Sequence, residues 1–139
     1  MAQIPGEQTV NIDAVIQRLE TIPGLSGKII LGHPTFMESI EGSPYVWITG
    51  IVELPGDNQR LNGPVRQRVE VRIDLTIGTR NNAAMAALRS DIQSVLLNFQ
   101  SEPKDDPMTK GRGQMEFMDP AWTVWLDSYL TAYQVDALA

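Results

Sequence analysis

The stretch Val65–Ile77 alternates: Val69, Val71, Ile73, Leu75 and Ile77 take one parity, and Arg66, Arg68, Glu70, Arg72, Asp74 and Thr76 take the other. Successive side chains of a strand point to opposite sides, so period two predicts a β-strand with one apolar and one polar face. Pro44–Leu54 predicts a second strand with few polar residues on either face. Val46, Ile48, Val52 and Leu54 lie on one side, and Tyr45, Trp47, Thr49 and Ile51 on the other. Pro55-Gly56-Asp57-Asn58 and Asn62-Gly63-Pro64 between them supply turn chemistry, so the two strands read as an antiparallel hairpin. At about 3.3 Å per residue each strand reaches roughly 35–40 Å, long for a small domain, so part of the hairpin is expected to project.

Helical spacing flanks this hairpin. Ile12, Val15, Ile16, Leu19 and Ile22 fall on one face of a helix that ends at Pro23-Gly24, with Asn11 or Thr9 as N-cap and Asp13 near the positive end of the dipole. A second helix over Asn81–Phe99 carries the stripe Met85, Leu88, Ile92, Val95, Leu96 and Phe99, strengthened by four alanines. Lys28–Leu31 reads as a short strand, His33–Ser43 and Ser101–Gly113 as loops, and Gln114–Met118 and Trp122–Val135 as two closing strands. This order predicts an α+β fold: a single mostly antiparallel sheet with a long projecting β-hairpin and two helices packed on one face. Residues 1–10 read as a flexible N-terminal arm and 11–139 as one domain.

The residue inventory narrows the chemistry. Cysteine is absent and His33 is the only histidine, so thiolate chemistry is excluded and multi-histidine metal sites cannot be built within one chain. His33 lies in the tract Gly32-His33-Pro34; paired with Glu38 or Asp119 it is the one route to a small enzyme, and no motif supports it. Asp105-Asp106 with Glu102 lacks the spacing of a calcium loop, and Gly111-Arg112-Gly113 precedes a strand, which argues against a phosphate cradle. No enzyme activity, cofactor or metal is therefore expected. With 17 acidic against 11 basic residues the net charge is -6, which disfavours specific nucleic-acid binding through Arg60, Arg66, Arg68 and Arg72. Met1–Gln8 does not read as a signal peptide and no apolar run reaches the ~20 residues that span a bilayer, so no membrane association is expected.

Two surfaces remain as candidate subunit or partner contacts. The first is the polar parity Arg66, Arg68, Glu70, Arg72 and Asp74, whose interleaved signs suit charge pairing across a joint. The second is the aromatic parity Trp125, Tyr129 and Tyr133 of the last strand; it suits a subunit contact, and a helix lying over the sheet would explain it equally well. Asp57, Asn58 and Arg60 are candidate contacts at the hairpin tip.

The chain resembles the tail terminator, or tail-completion, proteins of long-tailed bacteriophages. The resemblance rests on Ile12-Asp13-Ala14-Val15-Ile16-Gln17-Arg18-Leu19 ending at Ile22-Pro23-Gly24-Leu25, and on the Ser43-Pro44-Tyr45-Val46 entry to the hairpin. The alanine-rich helix and the closing Tyr129-Leu130-Thr131-Ala132-Tyr133 complete it, over about Asn11 to Val135. It implies a structural virion protein at the head-proximal end of the tail, assembled in the host cytoplasm. Such a protein forms a homo-oligomeric ring, usually a hexamer, that stops polymerisation of the tail tube protein and offers a surface to the head-tail connector. A neck or head-closure connector, or another adaptor of a phage-like contractile machine, is the alternative.

Overall fold

The computed structural model describes residues 10–32, 44–59, 63–80, 82–118 and 120–136. Its elements are α1 (Ile12–Leu19), β1 (Ile29–Leu31), β2 (Tyr45–Asn58), β3 (Arg66–Thr79), α2 (Asn82–Leu96), β4 (Thr109–Met118) and β5 (Thr123–Asp136). The strands form one five-stranded sheet in the order β1-β2-β3-β5-β4, an α+β arrangement. β1 runs parallel to β2, and the other three pairings are antiparallel, which makes the sheet mixed.

Local chemistry explains the element ends. Asn11 is the N-cap of α1, its Oδ1 accepting the Ala14 N–H at 3.1 Å. Val10, expected at the end of the arm, is a core residue, because the chain is held there by a 3.2 Å bond from the Asn11 N–H to Ser101 Oγ. The chain leaves α2 through Asn98, which adopts a left-handed φ of 68° that asparagine tolerates. Arg18 ties the helices together: its Nε donates to Val95 O at 2.8 Å, and its guanidinium lies over the Phe99 ring.

β3 lies at the centre of the sheet. β2 pairs with it on one side from Tyr45↔Gly78 to Asn58↔Gln67, and β5 on the other from Thr79↔Thr123 to Arg66↔Asp136. The distal half of the hairpin is therefore three-stranded. Alternation on β3 sets the faces as its sequence predicts: Val69, Val71, Ile73, Leu75 and Ile77 join one core cluster with Val15 and Leu19 of α1 and Met85, Leu88, Ile92 and Leu96 of α2. We call this side of the sheet the core face and the other the charged face.

Three details depart from the sequence reading. A register shift between Ile48 and Gly50 moves Val52 and Leu54 onto the charged face, opposite Arg72 and Glu70, so they do not share a side with Val46 and Ile48. β2 continues through Pro55-Gly56-Asp57-Asn58, which had read as turn. It can do so because β1 pairs with it only as far as Ile48, and an edge tolerates a residue that has no N–H. β4 begins at Thr109 and takes in Gly111 and Gly113, with register shifts between Lys110 and Gly113 and between Met115 and Phe117. Bulges absorb glycines that would otherwise weaken a strand, so a glycine-rich tract that reads as loop is ladder.

Candidate functional site

The charged face is built on β3 and widened by its neighbours. Arg66, Arg68, Glu70 and Arg72 are exposed and Asp74 is half-buried; Val52 and Leu54 of β2 lie on one side of them, and Ser128 and Leu130 of β5 on the other. Most of the charges find a partner within the chain. Arg66 Nε meets Asp136 Oδ1 at 2.8 Å, and Arg68 pairs with Asp106 of the segment before β4. Arg72 grips Asp74 through Nε at 2.9 Å and Nη2 at 3.2 Å, and Ser128 Oγ donates to Asp74 Oδ1 at 2.8 Å. Gly50 keeps this carboxylate in place, since a Cβ there would stand 3.1 Å from Asp74 Oδ2. Glu70 enters no ion pair among the described residues.

Exposed pairs of this kind contribute about 0–1 kcal/mol each, so they orient the side chains more than they stabilise the fold. The result is an ordered surface of mixed sign with leucines between the charges. Three shallow depressions run along it. One of about 300 Å³ lies between Leu54, Arg68, Glu70, Arg72, Asp106 and Leu130, and one of about 430 Å³ reaches the Asp57-Asn58 end of β2. A third of about 170 Å³ lies between Arg72, Asp74, Arg112, Gln114, Leu126 and Ser128.

The structure places the aromatic candidates elsewhere. Trp125, Tyr129 and Tyr133 project from the core face of β5; Tyr129 is 0% and Tyr133 8% exposed, while Trp125 is half-buried. The rings are thus core packing in the single chain, as the alternative of an overlying helix anticipates, and the two tyrosines offer no free surface. Burial, with a hydrogen bond to Glu53, pushes the Tyr133 hydroxyl up to about 12. Burial also raises the Tyr129 hydroxyl, which has no hydrogen-bond partner among the described residues.

Asp127 lies between Trp125 and Tyr129 on the same face and is 1% exposed. A buried carboxylate that stays ionised needs cations, and two elements deliver them. From α2, Arg89 Nε and Nη2 reach Asp127 Oδ2 and Oδ1, each at 2.8 Å; from β4, Lys110 Nζ reaches Oδ1 at 3.2 Å. The Arg89 guanidinium also stacks 3.8 Å from the Trp125 ring centre. Burial alone would raise the Asp127 pKa, but the Arg89 hydrogen bonds and the Lys110 and Arg89 charges outweigh it and hold the group below the usual carboxylate range. Gly113 completes the site, because a Cβ there would lie 2.7 Å from Asp127 Oδ1 and 2.8 Å from Arg89 Nη2. Sequence reading missed Arg89, Lys110 and Gly113. The available signal was Asp127 itself, a carboxylate at the inward parity of an aromatic strand.

At the hairpin end, Asn58 Oδ1 accepts the Arg66 N–H at 3.1 Å, and Asp57 is exposed. Arg60, His33, Glu38 and Asp119 lie outside the described residues, as does the expected loop 33–43. Among the described residues no three histidine, cysteine or acidic side chains converge on a common point, and no helix is long and apolar enough to cross a membrane. No protein-family model matches the chain, and no curated protein sequence matches it.

Proposed function

We propose that this chain is a structural subunit of a phage tail, a terminator that forms a ring on the end of the tail tube, stops its polymerisation and presents a surface to the head connector. The observation that carries this reading is the charged face, where Arg66, Arg68, Glu70 and Arg72 lie exposed on the side of the sheet opposite the main core cluster, beyond a smaller buried cluster of Tyr45, Trp47 and Trp122. Ordered charges of mixed sign set partner and register in an interface, with leucines between them to be desolvated. In this reading both helices cover the core face and leave the charged face to neighbouring subunits or the tube. The Asp57-Asn58 end of the β2–β3 hairpin is offered to a neighbour.

The protein then acts by assembly and not by catalysis, as a hexamer of identical chains located at the head-proximal end of the virion tail. A small chain gains reach most directly by repetition about a symmetry axis. Electron microscopy of particles assembled without the protein tests this. Tails of uncontrolled length and unjoined heads are expected, and tails of normal length joined to heads would overturn it.

A further inference from the structure

β4 ends the sheet, and no strand covers its outer edge among the described residues. Met115, Phe117 and Met118 stand on it with 45%, 46% and 50% of their surface exposed. A ten-residue edge bearing three large apolar side chains is a template for another strand, since its outward N–H and C=O groups have no ladder partner among the described strands. Proteins commonly close such edges with a proline or by keeping them very short, and β4 has neither device. Its bulges ordinarily blunt an edge as well, yet here they fall on either side of Gln114, between Lys110 and Gly113 and between Met115 and Phe117.

We propose that β4 pairs with β4 of a second copy of this chain, antiparallel about a two-fold axis at Gln114, joining two sheets into one. That axis exchanges the two bulges, so each irregular point meets an irregular point and the ladders stay in step. It also makes the strand complementary to itself. Arg112 of each copy stands opposite Glu116 of the other, and Gln114 meets Gln114. Gly111 and Gly113 stand opposite Phe117 and Met115, so no large side chain meets another across the seam at these positions. The register also respects prior commitments: Lys110 already serves Asp127, whereas Arg112 and Glu116 enter no ion pair among the described residues. The pairing is independent of the ring reading, because it uses the sheet edge and leaves Arg66, Arg68, Glu70 and Arg72 uncovered.

Sedimentation velocity of the purified full chain over a concentration series tests it. A monomer–dimer equilibrium that weakens with salt is expected. Glu116→Arg alone places four guanidinium groups along the seam, and Arg112→Glu alone places four carboxylates; each raises the dimer Kd by about tenfold. The double variant Arg112→Glu with Glu116→Arg restores the original Kd, because each reversed charge meets its complement. Both side chains are exposed, so the fold is retained, which far-ultraviolet circular dichroism checks. A chain that stays monomeric at every concentration, a double variant no tighter than the singles, or association that survives both singles unchanged would each overturn the pairing.

Discussion

Asp127 shows how a single parity assignment governs the chemistry around it. On an outward parity this carboxylate would be one more surface acid; on the inward parity it must bring Arg89 and Lys110 with it. Breaking a buried ion pair leaves an uncompensated charge, whereas replacing the whole pair with apolar groups is often neutral. Arg89→Met is therefore expected to lower the unfolding free energy by about 3 kcal/mol, read by urea denaturation, with Lys110 alone left to hold the carboxylate. Adding Asp127→Leu to that variant should recover much of the loss. The alternation of β5 was legible as sequence, including which residues share a side with Asp127. The identity of its cations was not, because Arg89 precedes it by 38 residues and only the docking of α2 brings them together.

At the level of elements, the segment between α2 and β4 covers the distal end of the sheet. Asp106 N–H donates to Ala132 O at 2.9 Å, extending the β4 edge along β5, and Thr131 Oγ1 donates to Asp106 O at 2.6 Å. Its Asp105 is 6% exposed and accepts from Ser101 Oγ at 2.7 Å, with no ion-pair partner among the described residues. Burial raises the Asp105 pKa, the Ser101 hydrogen bond offsets part of that, and the nearby Glu102 and Asp106 charges push it further up. The folded state then holds this proton more tightly than the unfolded chain. Asp105 therefore costs stability as pH rises from the ordinary aspartate value of about 3.9 through its raised folded value. Asp127 acts in the opposite sense: its contribution is present above the ordinary value and is lost as pH falls through its lowered folded pKa. Asp105→Asn is expected to raise the thermal midpoint at pH 7 and to change it little at pH 3, as measured by calorimetry across pH. This strap read as a charged loop, because nothing in its composition says which acid is buried.

For the whole molecule, the division of the sheet into two faces matters most. The charged face is the surface proposed for subunit or tube contact, and its arginines lie in weak exposed pairs. Reversing Arg68 and Arg72 together to glutamate should cost less than about 1 kcal/mol of stability while weakening ring formation on isolated tail tubes. Light scattering with and without tubes reads this; ring formation equal to that of the unchanged protein would remove these residues from the interface. β3 carried its two faces openly, and the helix stripes and most element limits were legible for the same reason. Periodicity is a local property that neighbours do not alter. The faces of β2 from Gly50 to Pro55 are not legible, because one bulge inverts the side chains that follow it until the second shift before Asn58, and a bulge is visible only against a partner strand. Sequence alone thus determined that this chain builds a sheet with one apolar and one charged side, since alternation is written residue by residue. Tertiary structure alone decided that the aromatic side is core, which cations hold Asp127, and that β4 is an edge of the sheet formed by the described strands. Each of these depends on which distant segments share a contact, and hydrophobic burial selects those contacts for the chain as a whole.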